Sequence, residues 1–393
     1  MSKKVCVFLW NNFMNDARVR REVRALTLAG YHVDVICTYD GDEKGLFQVE
    51  DFANSRVIRV WNFRTLKLLY NNPIVKILDK IKVGKVIDIL MVLGNMIAYG
   101  LKNKYDFYHC NDLKTLPQGF ICAKVFRRAR LIYDSHEVET SRAGGKSKIK
   151  YIIERFLIKK ADRVIMTTDT RADYNAKLYS IDKPEVIHNY PIYREKDESR
   201  YNLHQLLGLD QDEPILLYQG GFQVGRGIEQ ILRGTPSFKK GVVVFIGDGP
   251  LKPKMQDIIV SSGLEERVKI VPKVPAEELL YYTQHAYLGF QVLENTCFNH
   301  YSALSNKLLE YIMMEVPVVC SDLPEMRKIM NEVRAGLCID TDDYENIVQA
   351  VNTLLEDKET YNKMKQNCAD HKGKYTWDKE QEKFIEIYNQ LGV

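Results

Sequence analysis

The 393-residue sequence lacks the usual marks of cofactor and metal chemistry. Its first strand-to-helix turn has no G-x-G-x-x-G, which argues against a dinucleotide cofactor there. The eight cysteines form no C-x-x-C pair, and no set of His, Cys, Asp and Glu has metal-ligand spacing. No G-x-S-x-G element points to a nucleophilic serine. We therefore expect no cofactor and no metal ion, and reduced thiols in a cytoplasmic protein.

The sequence also has no excess of one charge and no long hydrophobic run. Its 56 Lys and Arg against 52 Asp and Glu give a net charge of +4, too small to predict a nucleic-acid partner. The first residues have neither the apolar core nor the cleavage site of a signal peptide. The longest apolar stretch, Val86–Tyr99, is shorter than the roughly 20 residues that span a bilayer. We expect a soluble protein that contacts a membrane at most peripherally.

What is present is the composition of a globular protein, with 45% hydrophobic and 27% charged residues. A chain of this length predicts two domains. The apolar runs Lys4–Trp10 and Ile215–Gln219 are typical of parallel strands buried on both faces, and a polar turn and a helix pattern follow each. We place a first domain at 1–190, a charged linker at 191–213 and a second domain at 214–375. Both are predicted to be doubly wound α/β domains.

The stretch 64–104 has two interpretations. It is rich in Leu, Ile and Val and carries lysines at 67, 76, 80, 82, 85, 102 and 104. Lysines beside an apolar face suit a helix that lies in the plane of an anionic membrane. An ordinary pair of core-packing helices with a solvated lysine face gives the same pattern.

Polar residues follow several predicted strands of the first domain, where open α/β sheets bind ligands. His136 comes directly after the strand Ala129–Asp134, although a hydrogen-bonded structural histidine would look the same. His109 occupies a similar position on a neighbouring predicted strand, which favours a functional edge. The candidate acceptor-side residues are Asn11, Asn12, His109, Asn111, Asp112 and Glu137.

In the second domain, two strand-to-helix junctions suit an anionic ligand. Gly220, Gly221 and Arg226 follow the first strand, and glycines allow close approach of a phosphate that a guanidinium can pair with. A tight turn without a ligand is the alternative. The other junction leads into a helix at Asn306–Lys307, whose only carboxylate, Glu310, lies one turn further on. Unpaired N–H groups at such a helix start bind anions, and the carboxylate could hold a hydroxyl-bearing group such as a ribose.

Together these segments resemble the retaining, GT-B-fold glycosyltransferases of the GT4 family (glycosyl transferases group 1). The resemblance covers nearly the whole chain and is most specific in its last block. It rests on NDARVRREVRALTLAGYHVDV at 15–35, HCND at 109–112, YDSHE at 133–137, ADRVI at 161–165, YQGGFQVGRGIE at 218–229, FIGDGP at 245–250 and SNKLLEYIMMEVPVVCSD at 305–322.

This resemblance implies two Rossmann-like domains facing a central cleft, with the C-terminal helix 376–393 packed back on the first domain. It implies that Glu310 holds the ribose, Arg226 neutralises the diphosphate and His136 lies near the transferred sugar. It also implies that the backbone at Asn306 and Lys307 binds the diphosphate and that Val274 lies where the family's backbone meets the nucleobase. We accordingly predict His136, Glu310 and Arg226 as catalytic. The predicted donor-binding set is Gly220, Gly221, Arg226, Val274, Ser302, Asn306, Lys307, Leu308 and Glu310.

The sequence departs from the family pattern at three positions. Ser302 replaces the first glutamate of E-x7-E, which normally contacts the donor sugar. Gly221 stands where a basic residue is expected in the phosphate turn, and Glu315 stands where glycine usually follows the helix. A non-glycine residue in a left-handed cap costs on the order of 1 kcal/mol.

The resemblance predicts metal-independent transfer of a hexosyl unit, with retention, from a nucleoside diphosphate sugar to a hydroxyl. The expected acceptor is a glycan or lipid-linked molecule of cell-surface polysaccharide or glycoconjugate biosynthesis, at the inner face of the cell membrane. Two alternatives are a non-catalytic sugar-nucleotide-binding partner of another transferase and a GT-B-like nucleotide-sugar epimerase.

Overall fold

The computed structural model describes residues 2–14, 16–39, 48–62, 83–141, 147–197 and 199–392. They fall into two compact units, Met1–His188 with Glu380–Val393, and Asn189–Lys379. The segment 191–213, predicted as a linker, is part of the second unit, where Leu203 is fully buried.

The first unit is built on an eight-stranded sheet in the order β3-β4-β2-β1-β5-β6-β7-β8, parallel except for the antiparallel β3–β4 pair. Its strands are β1 Lys4–Phe8, β2 His32–Thr38, β3 Val49–Phe52, β4 Ser55–Val60, β5 Phe107–Asn111, β6 Arg130–Ser135, β7 Arg163–Met166 and β8 Glu185–Val186. Its helices are α1 Ala17–Leu28, α2 Val83–Lys102, α3 Leu116–Phe120, a π-helix Ile121–Arg127, α4 Lys148–Leu157 and α5 Asp169–Tyr179, with 3₁₀ turns at Glu139–Ser141 and Ile158–Lys160.

The start of the first unit shows how the sequence pattern becomes packing. Val19, Val23 and Leu26 recur at helical spacing, and all three side chains of α1 are buried. Asp16 caps the helix by accepting a hydrogen bond from the Val19 amide at 3.2 Å. β1 lies between β2 and β5 in parallel register, so its carboxyl end and the loop after it reach the ligand-binding edge of the sheet.

The second unit is built on a six-stranded sheet in the order β11-β10-β9-β12-β13-β14, with parallel pairs throughout. Its strands are β9 Ile215–Gln219, β10 Val242–Ile246, β11 Val268–Val271, β12 Leu288–Gln291, β13 Val318–Ser321 and β14 Gly336–Ile339. Its helices are α6 Leu203–Leu207, α7 Ile228–Gly234, α8 Lys252–Ser261, α9 Leu279–Thr283, α10 Phe298–Tyr301, α11 Asn306–Met313, α12 Pro324–Val333, α13 Tyr344–Glu356 and α14 Lys358–His371, with a 3₁₀ turn at Thr235–Ser237. The last helix, α15, is Trp377–Leu391.

Strand β9 shows that the second sheet is covered on both faces. Ile215 and Leu217 pack into one apolar cluster, which also takes in α11 and α12. Leu216 and Tyr218 point the other way, into a cluster with α7, α8 and α13. This alternation is the doubly wound arrangement that the continuous apolar run predicts.

The lysine-rich stretch 64–104 is described only from residue 83 onward, so Lys67, Lys76, Lys80 and Lys82 lie outside the described residues. Among the described residues one helix, Gly84–Lys102, is long and apolar enough to cross a membrane, with a mean hydropathy of 1.4. It is longer than the sequence predicted. Val92 and Met96 lie in the core, and the Asn95 amide donates to the Trp61 carbonyl at 3.0 Å. Because core helices of soluble proteins meet the same criterion, the finding is weak evidence for a span.

Candidate functional site

The turn after β9 brings backbone close to an open region of the second unit. Gly220 has φ +125°, a conformation that a side chain would strain, and a Cβ there would lie 3.7 Å from the Lys307 Nζ. Gly227 at the start of α7 has φ +70°, and a Cβ there would meet the Val292 carbonyl oxygen at 2.1 Å. Both glycines are therefore required by the path of this turn.

The start of α11 faces the same turn. Ser305 precedes the helix in extended conformation, and its side chain makes no capping hydrogen bond, although a serine could. The N–H groups at Asn306 and Lys307 therefore carry the partial positive charge of an uncapped helix start. A phosphate bound at this helix start would accept hydrogen bonds from these N–H groups, which is the arrangement that the sequence predicted.

Lys307 is the most perturbed cation of the second unit. Its Nζ lies 4.0 Å from the centre of the Tyr218 ring. Burial, followed by the positive charge of Arg226, lowers the pKa of Lys307 to about 7, while Glu310 opposes the shift. Among the described residues, Arg226 makes one long hydrogen bond, 3.5 Å, to the Gln223 side-chain oxygen. Glu310 balances part of the positive charge of Lys307 and Arg226, and a diphosphate would add further negative charge beside the two cations.

Glu310 is held in place by a chain of hydrogen bonds from β9 and α9. The Gln219 amide donates to a Glu310 carboxylate oxygen at 2.7 Å. The Thr283 hydroxyl in turn donates to the Gln219 oxygen at 2.6 Å, and both residues are fully buried. Glu310 remains partly exposed, so it presents a fixed acceptor beside Lys307. Neither Gln219 nor Thr283 was predicted. Their contacts join a strand and two helices that are far apart in sequence, and a local motif does not indicate such contacts.

Other predicted donor residues of the second unit have different surroundings. Ser302 is fully buried, and its hydroxyl donates to the Phe298 carbonyl at 2.7 Å. The Leu308 side chain belongs to the apolar core, so a ligand contact there would use its backbone. Val274 packs partly buried against the same core, and Gly221 is exposed in the turn. A donor role for these four residues stays a prediction.

The turn after α11 keeps the left-handed geometry that usually requires glycine. Glu315 has φ +56°. Its carboxylate accepts a hydrogen bond from the Lys196 Nζ at 2.7 Å and one from the Lys372 Nζ at 3.3 Å. Burial works against ionisation, but the two ammonium groups lower the pKa of Glu315 below its usual value. These contacts give a physical reason for glutamate at a strained position.

In the first unit, His136 lies at the carboxyl end of β6 and is held through its backbone. Its N–H donates to an Asp112 carboxylate oxygen at 3.1 Å, and its carbonyl accepts hydrogen bonds from Arg171 and from the Thr167 hydroxyl. Its ring is 4% exposed, and its Nε2 lies 3.2 Å from an Asp134 oxygen. Within the described residues, neither ring nitrogen makes a hydrogen bond of good geometry. The backbone contacts therefore fix this buried ring in position beside Asp134.

His109 does not occupy the accessible edge where it was predicted. Residue 109 lies inside β5 rather than at its end, and the side chain is 1% exposed. Its Nδ1 lies 2.7 Å from the Tyr388 hydroxyl, and its Nε2 lies 3.5 Å from Asp134 and 3.9 Å from Glu22. The strand's alternation sends this ring into the layer of α1 and α15.

Glu22, His109 and Asp134 form a buried cluster that the sequence did not reveal, with ligand atoms within 4.8 Å of one another. Burial, followed by the negative charge of Asp134, raises the pKa of Glu22 well above its usual value, while Arg18 and Arg21 oppose the shift. These three groups could offer ligands to a metal ion, since each contributes one candidate ligand atom. They also form a buried set of interacting charges, which accounts for the raised pKa of Glu22 without a metal ion.

The remaining predicted acceptor-side residues mostly stabilise their own loops. Asn11 and Asn12 accept hydrogen bonds from the backbone amides of Phe13 and Met14, at 2.8 and 3.1 Å. The Asn111 amide is buried and donates to the Phe8 carbonyl at 3.2 Å. The structure brings Asp112 to the His136 backbone, and it leaves Glu137 exposed. A substrate contact by these residues stays a prediction.

Two α/β units with parallel sheets and polar groups at the carboxyl ends of their strands define a protein of the GT-B glycosyltransferase fold. Sucrose-phosphate synthase of Thermosynechococcus elongatus has a TM-score of 0.77 at 18% identity, over 99% of both chains. Anabaena Alr3699/HepE in complex with UDP has a TM-score of 0.76 at 15% identity, over 98% of this chain and 100% of that one. Identities this low show the shared fold alone.

The chain belongs to the GT4-type glycosyltransferases. The family model for glycosyl transferases group 1 matches residues 199–371, and the model for the glycosyl transferase 4-like domain matches residues 16–189. The first match covers most of the second unit, and the second match covers most of the first unit. The family resemblance of the sequence motifs is confirmed.

Two curated relatives illustrate the range of sugars and acceptors. Alpha-D-kanosaminyltransferase of Streptomyces kanamyceticus is 26% identical over 252 residues, 61% of this chain and 63% of the relative. The N-acetylgalactosamine-N,N'-diacetylbacillosaminyl-diphospho-undecaprenol 4-alpha-N-acetylgalactosaminyltransferase of Campylobacter jejuni is 23% identical over 227 residues, 54% of this chain and 57% of the relative. The chain thus spans less than two thirds of these relatives' lengths.

Proposed function

We propose that the protein is a retaining glycosyltransferase that moves a hexosyl unit from a nucleoside diphosphate sugar to a hydroxyl of a glycan or lipid-linked acceptor. The observation that carries this proposal is the group of polar residues around α11. Lys307 and Arg226 stand beside an uncapped helix start, and Glu310 is fixed by Gln219. Such a set matches the charges and hydroxyls of a nucleoside diphosphate.

On the nucleotide side, the diphosphate lies at the start of α11. Its negative charge pairs with Lys307 and Arg226 and accepts hydrogen bonds from the helix amides. Glu310 accepts hydrogen bonds from the ribose hydroxyls, in the orientation that Gln219 and Thr283 impose. The developing charge of the leaving diphosphate meets these cations, which supply the stabilisation that a metal ion gives elsewhere, so the reaction is metal-independent.

On the sugar side, the acceptor hydroxyl attacks the anomeric carbon from the face that the diphosphate leaves. The new C–O bond forms as the bond to the phosphate oxygen breaks, and the hydroxyl proton passes to that oxygen. The anomeric configuration is thereby retained. His136 positions the sugar through its ring and is not the nucleophile, since the acceptor hydroxyl attacks directly. Asp112 and Arg171 hold the backbone of His136, and Asp134 flanks its ring.

Relatives and neighbours support the proposed substrates. One structure of the Anabaena neighbour is a complex with UDP-glucose. The Campylobacter relative is named for a diphospho-undecaprenol substrate, which is a lipid-linked glycan. We propose that the present chain acts in cell-surface polysaccharide or glycoconjugate assembly, in the cytoplasm and at the inner face of the membrane.

The test is turnover by the purified chain. UDP-, GDP- and dTDP-sugars are screened first by thermal stabilisation, and the donor that binds is then assayed with glycan and lipid-linked acceptors with and without EDTA. We expect transfer in the presence of EDTA and, by NMR of the product, an unchanged anomeric configuration. An inverted product contradicts the mechanism, and loss of turnover with EDTA contradicts metal independence. Donor consumption without acceptor would indicate an epimerase, and donor binding without turnover a non-catalytic partner.

A further inference from the structure

The outer surface of α4 in the first unit takes no part in the proposed reaction, yet it is strongly apolar. Ile149, Ile152 and Phe156 are 71%, 64% and 57% exposed. With Ile153 they follow one another at helical spacing, so they form a single stripe along the helix. Leu157 is buried on the sheet side instead. A stripe of this size turned away from the core is surface that a protein normally covers with a partner or a membrane.

Neighbouring helices extend this surface. α4 packs against α3, and α3 and the π-helix pack against α2. Phe120 at the end of α3 meets Phe156 edge to face, with ring centres 6.0 Å apart. α2 contributes three more residues that are over half exposed. We use the term helical face for the exposed apolar residues of these two helices, Val86, Ile89, Leu90, Ile149, Ile152 and Phe156.

Among the described residues, exposed basic side chains flank the apolar stripe of α4. Lys148, Arg155, Lys159 and Lys160 are exposed on α4 and the turn after it. The one carboxylate of α4, Glu154, is buried and accepts hydrogen bonds from the hydroxyls of two tyrosines of the core. Lysine side chains of this kind lay their stems on apolar surface and place their ammonium groups at its rim.

The π-helix continues the basic surface. Lys124, Arg127 and Arg128 lie within it or directly after it, and Phe126 beside them is exposed. Asp162 pairs with Lys124, and Asp88 is the acidic residue on the first half of α2. The helical face therefore combines exposed apolar side chains with an excess of positive charge over negative.

We propose that the helical face docks the first unit on an anionic membrane surface. The isoleucines and Phe156 enter the headgroup region, and the lysines and arginines contact lipid phosphates. A second copy of this chain is a poorer occupant, because a two-fold contact would bring the same basic residues together. This inference rests on the proposed function only for its purpose, the delivery of a lipid-linked acceptor, since docking itself needs no substrate.

Vesicle flotation of the full chain tests the proposal. We expect binding to phosphatidylcholine vesicles that contain phosphatidylglycerol, and little binding to phosphatidylcholine alone. Each Lys or Arg near an anionic surface strengthens binding about 5-fold, so Lys159→Ala with Lys160→Ala weakens the partition coefficient roughly 30-fold. Ile152→Glu with Phe156→Glu abolishes binding. Val260→Glu, at a comparably exposed apolar residue of the second unit, leaves it unchanged.

Several results would overturn the proposal. The protein could fail to bind anionic vesicles, or bind neutral vesicles equally well. The Ile152→Glu and Phe156→Glu double variant could bind as strongly as the parent. The parent could also be a dimer in solution that becomes monomeric in this double variant. Thermal melting of each variant checks that it is folded. Transfer to a water-soluble acceptor is measured in parallel. If the protein transfers sugar but does not float with vesicles, only the docking surface is contradicted. If it floats with vesicles but transfers no sugar, only the proposed function is contradicted.

Discussion

The two units present their functional residues in different ways. In the second unit, residues that the motifs single out, Lys307 and Glu310, lie together in the first turns of one helix, and both are half-buried. In the first unit, His109 and Asn111 lie within a strand and are sealed into the interior. A motif at a loop-to-helix junction thus specifies where functional groups point, while a motif that ends a strand leaves the direction of each side chain to the alternation of the strand.

The largest expected effect is at Glu310. In the proposed function Glu310 accepts hydrogen bonds from the two ribose hydroxyls, and each bond to a charged group is worth about 1.5–3 kcal/mol, all of which Glu310→Ala would remove. We expect donor affinity, measured by calorimetry, to fall at least 100-fold.

Glu266→Ala is the matched control, because its carboxylate is almost fully exposed in the same unit. If Glu310→Ala binds the donor with unchanged affinity, the nucleotide does not bind at Glu310.

His136 and Asp134 test whether the first unit contributes to the chemistry. Under the proposed mechanism His136 contacts the transferred sugar, so we expect kcat of His136→Ala to fall roughly 100-fold. Asp134→Asn keeps the shape but loses the carboxylate 3.2 Å from the ring, and we expect an approximately 10-fold fall in kcat with the donor KM unchanged.

His32→Ala, on the exposed start of β2, should leave both constants unaltered. If Asp134→Asn raises the donor KM and leaves kcat intact, the aspartate does not position the histidine for catalysis.

Lys307 should make donor binding depend on pH. Its pKa of about 7 means that the free protein loses this charge as pH rises through neutrality, whereas the bound diphosphate favours the protonated form. We expect affinity to be highest below pH 7 and to decline between pH 7 and 9, with proton uptake on binding visible as a buffer-dependent calorimetric enthalpy. Lys307→Arg keeps its charge throughout and should flatten the dependence. Equal slopes in both proteins would show that Lys307 does not contact the diphosphate.

The smallest expected effect is a pH-dependent difference in melting temperature when Glu22 is replaced. A carboxyl whose pKa is raised in the folded chain costs stability as pH rises above its unfolded value of about 4.3, because the folded state keeps a proton that the unfolded state releases. Glu22→Gln removes this cost. The variant should melt at a higher temperature than the parent, by a margin that grows between pH 5 and pH 8, and Glu185→Gln at the exposed sheet edge should show no such trend. A margin that shrinks with pH would mean that Glu22 is ionised in the folded protein.

Local patterns accounted for the parts of the fold that depend on neighbouring residues. The apolar run of β9 and the spacing of Val19, Val23 and Leu26 each fixed an element and its buried face. Contacts between segments distant in sequence could not be predicted from local patterns. Gln219 contacts Glu310 and Thr283 only because β9, α9 and α11 pack together. The helical face was equally hidden, since the apolar residues of α4 look like core residues until the side that faces the sheet is known.

Ser302 limits how this chain can vary. Its hydroxyl is satisfied inside the unit by the Phe298 carbonyl, and the residue has no exposed surface. A glutamate introduced there by one mutation would place a charge in a closed space before it could reach any sugar. The glutamate of the E-x7-E pattern would therefore fit at this position only if the residues that enclose Ser302 changed with it.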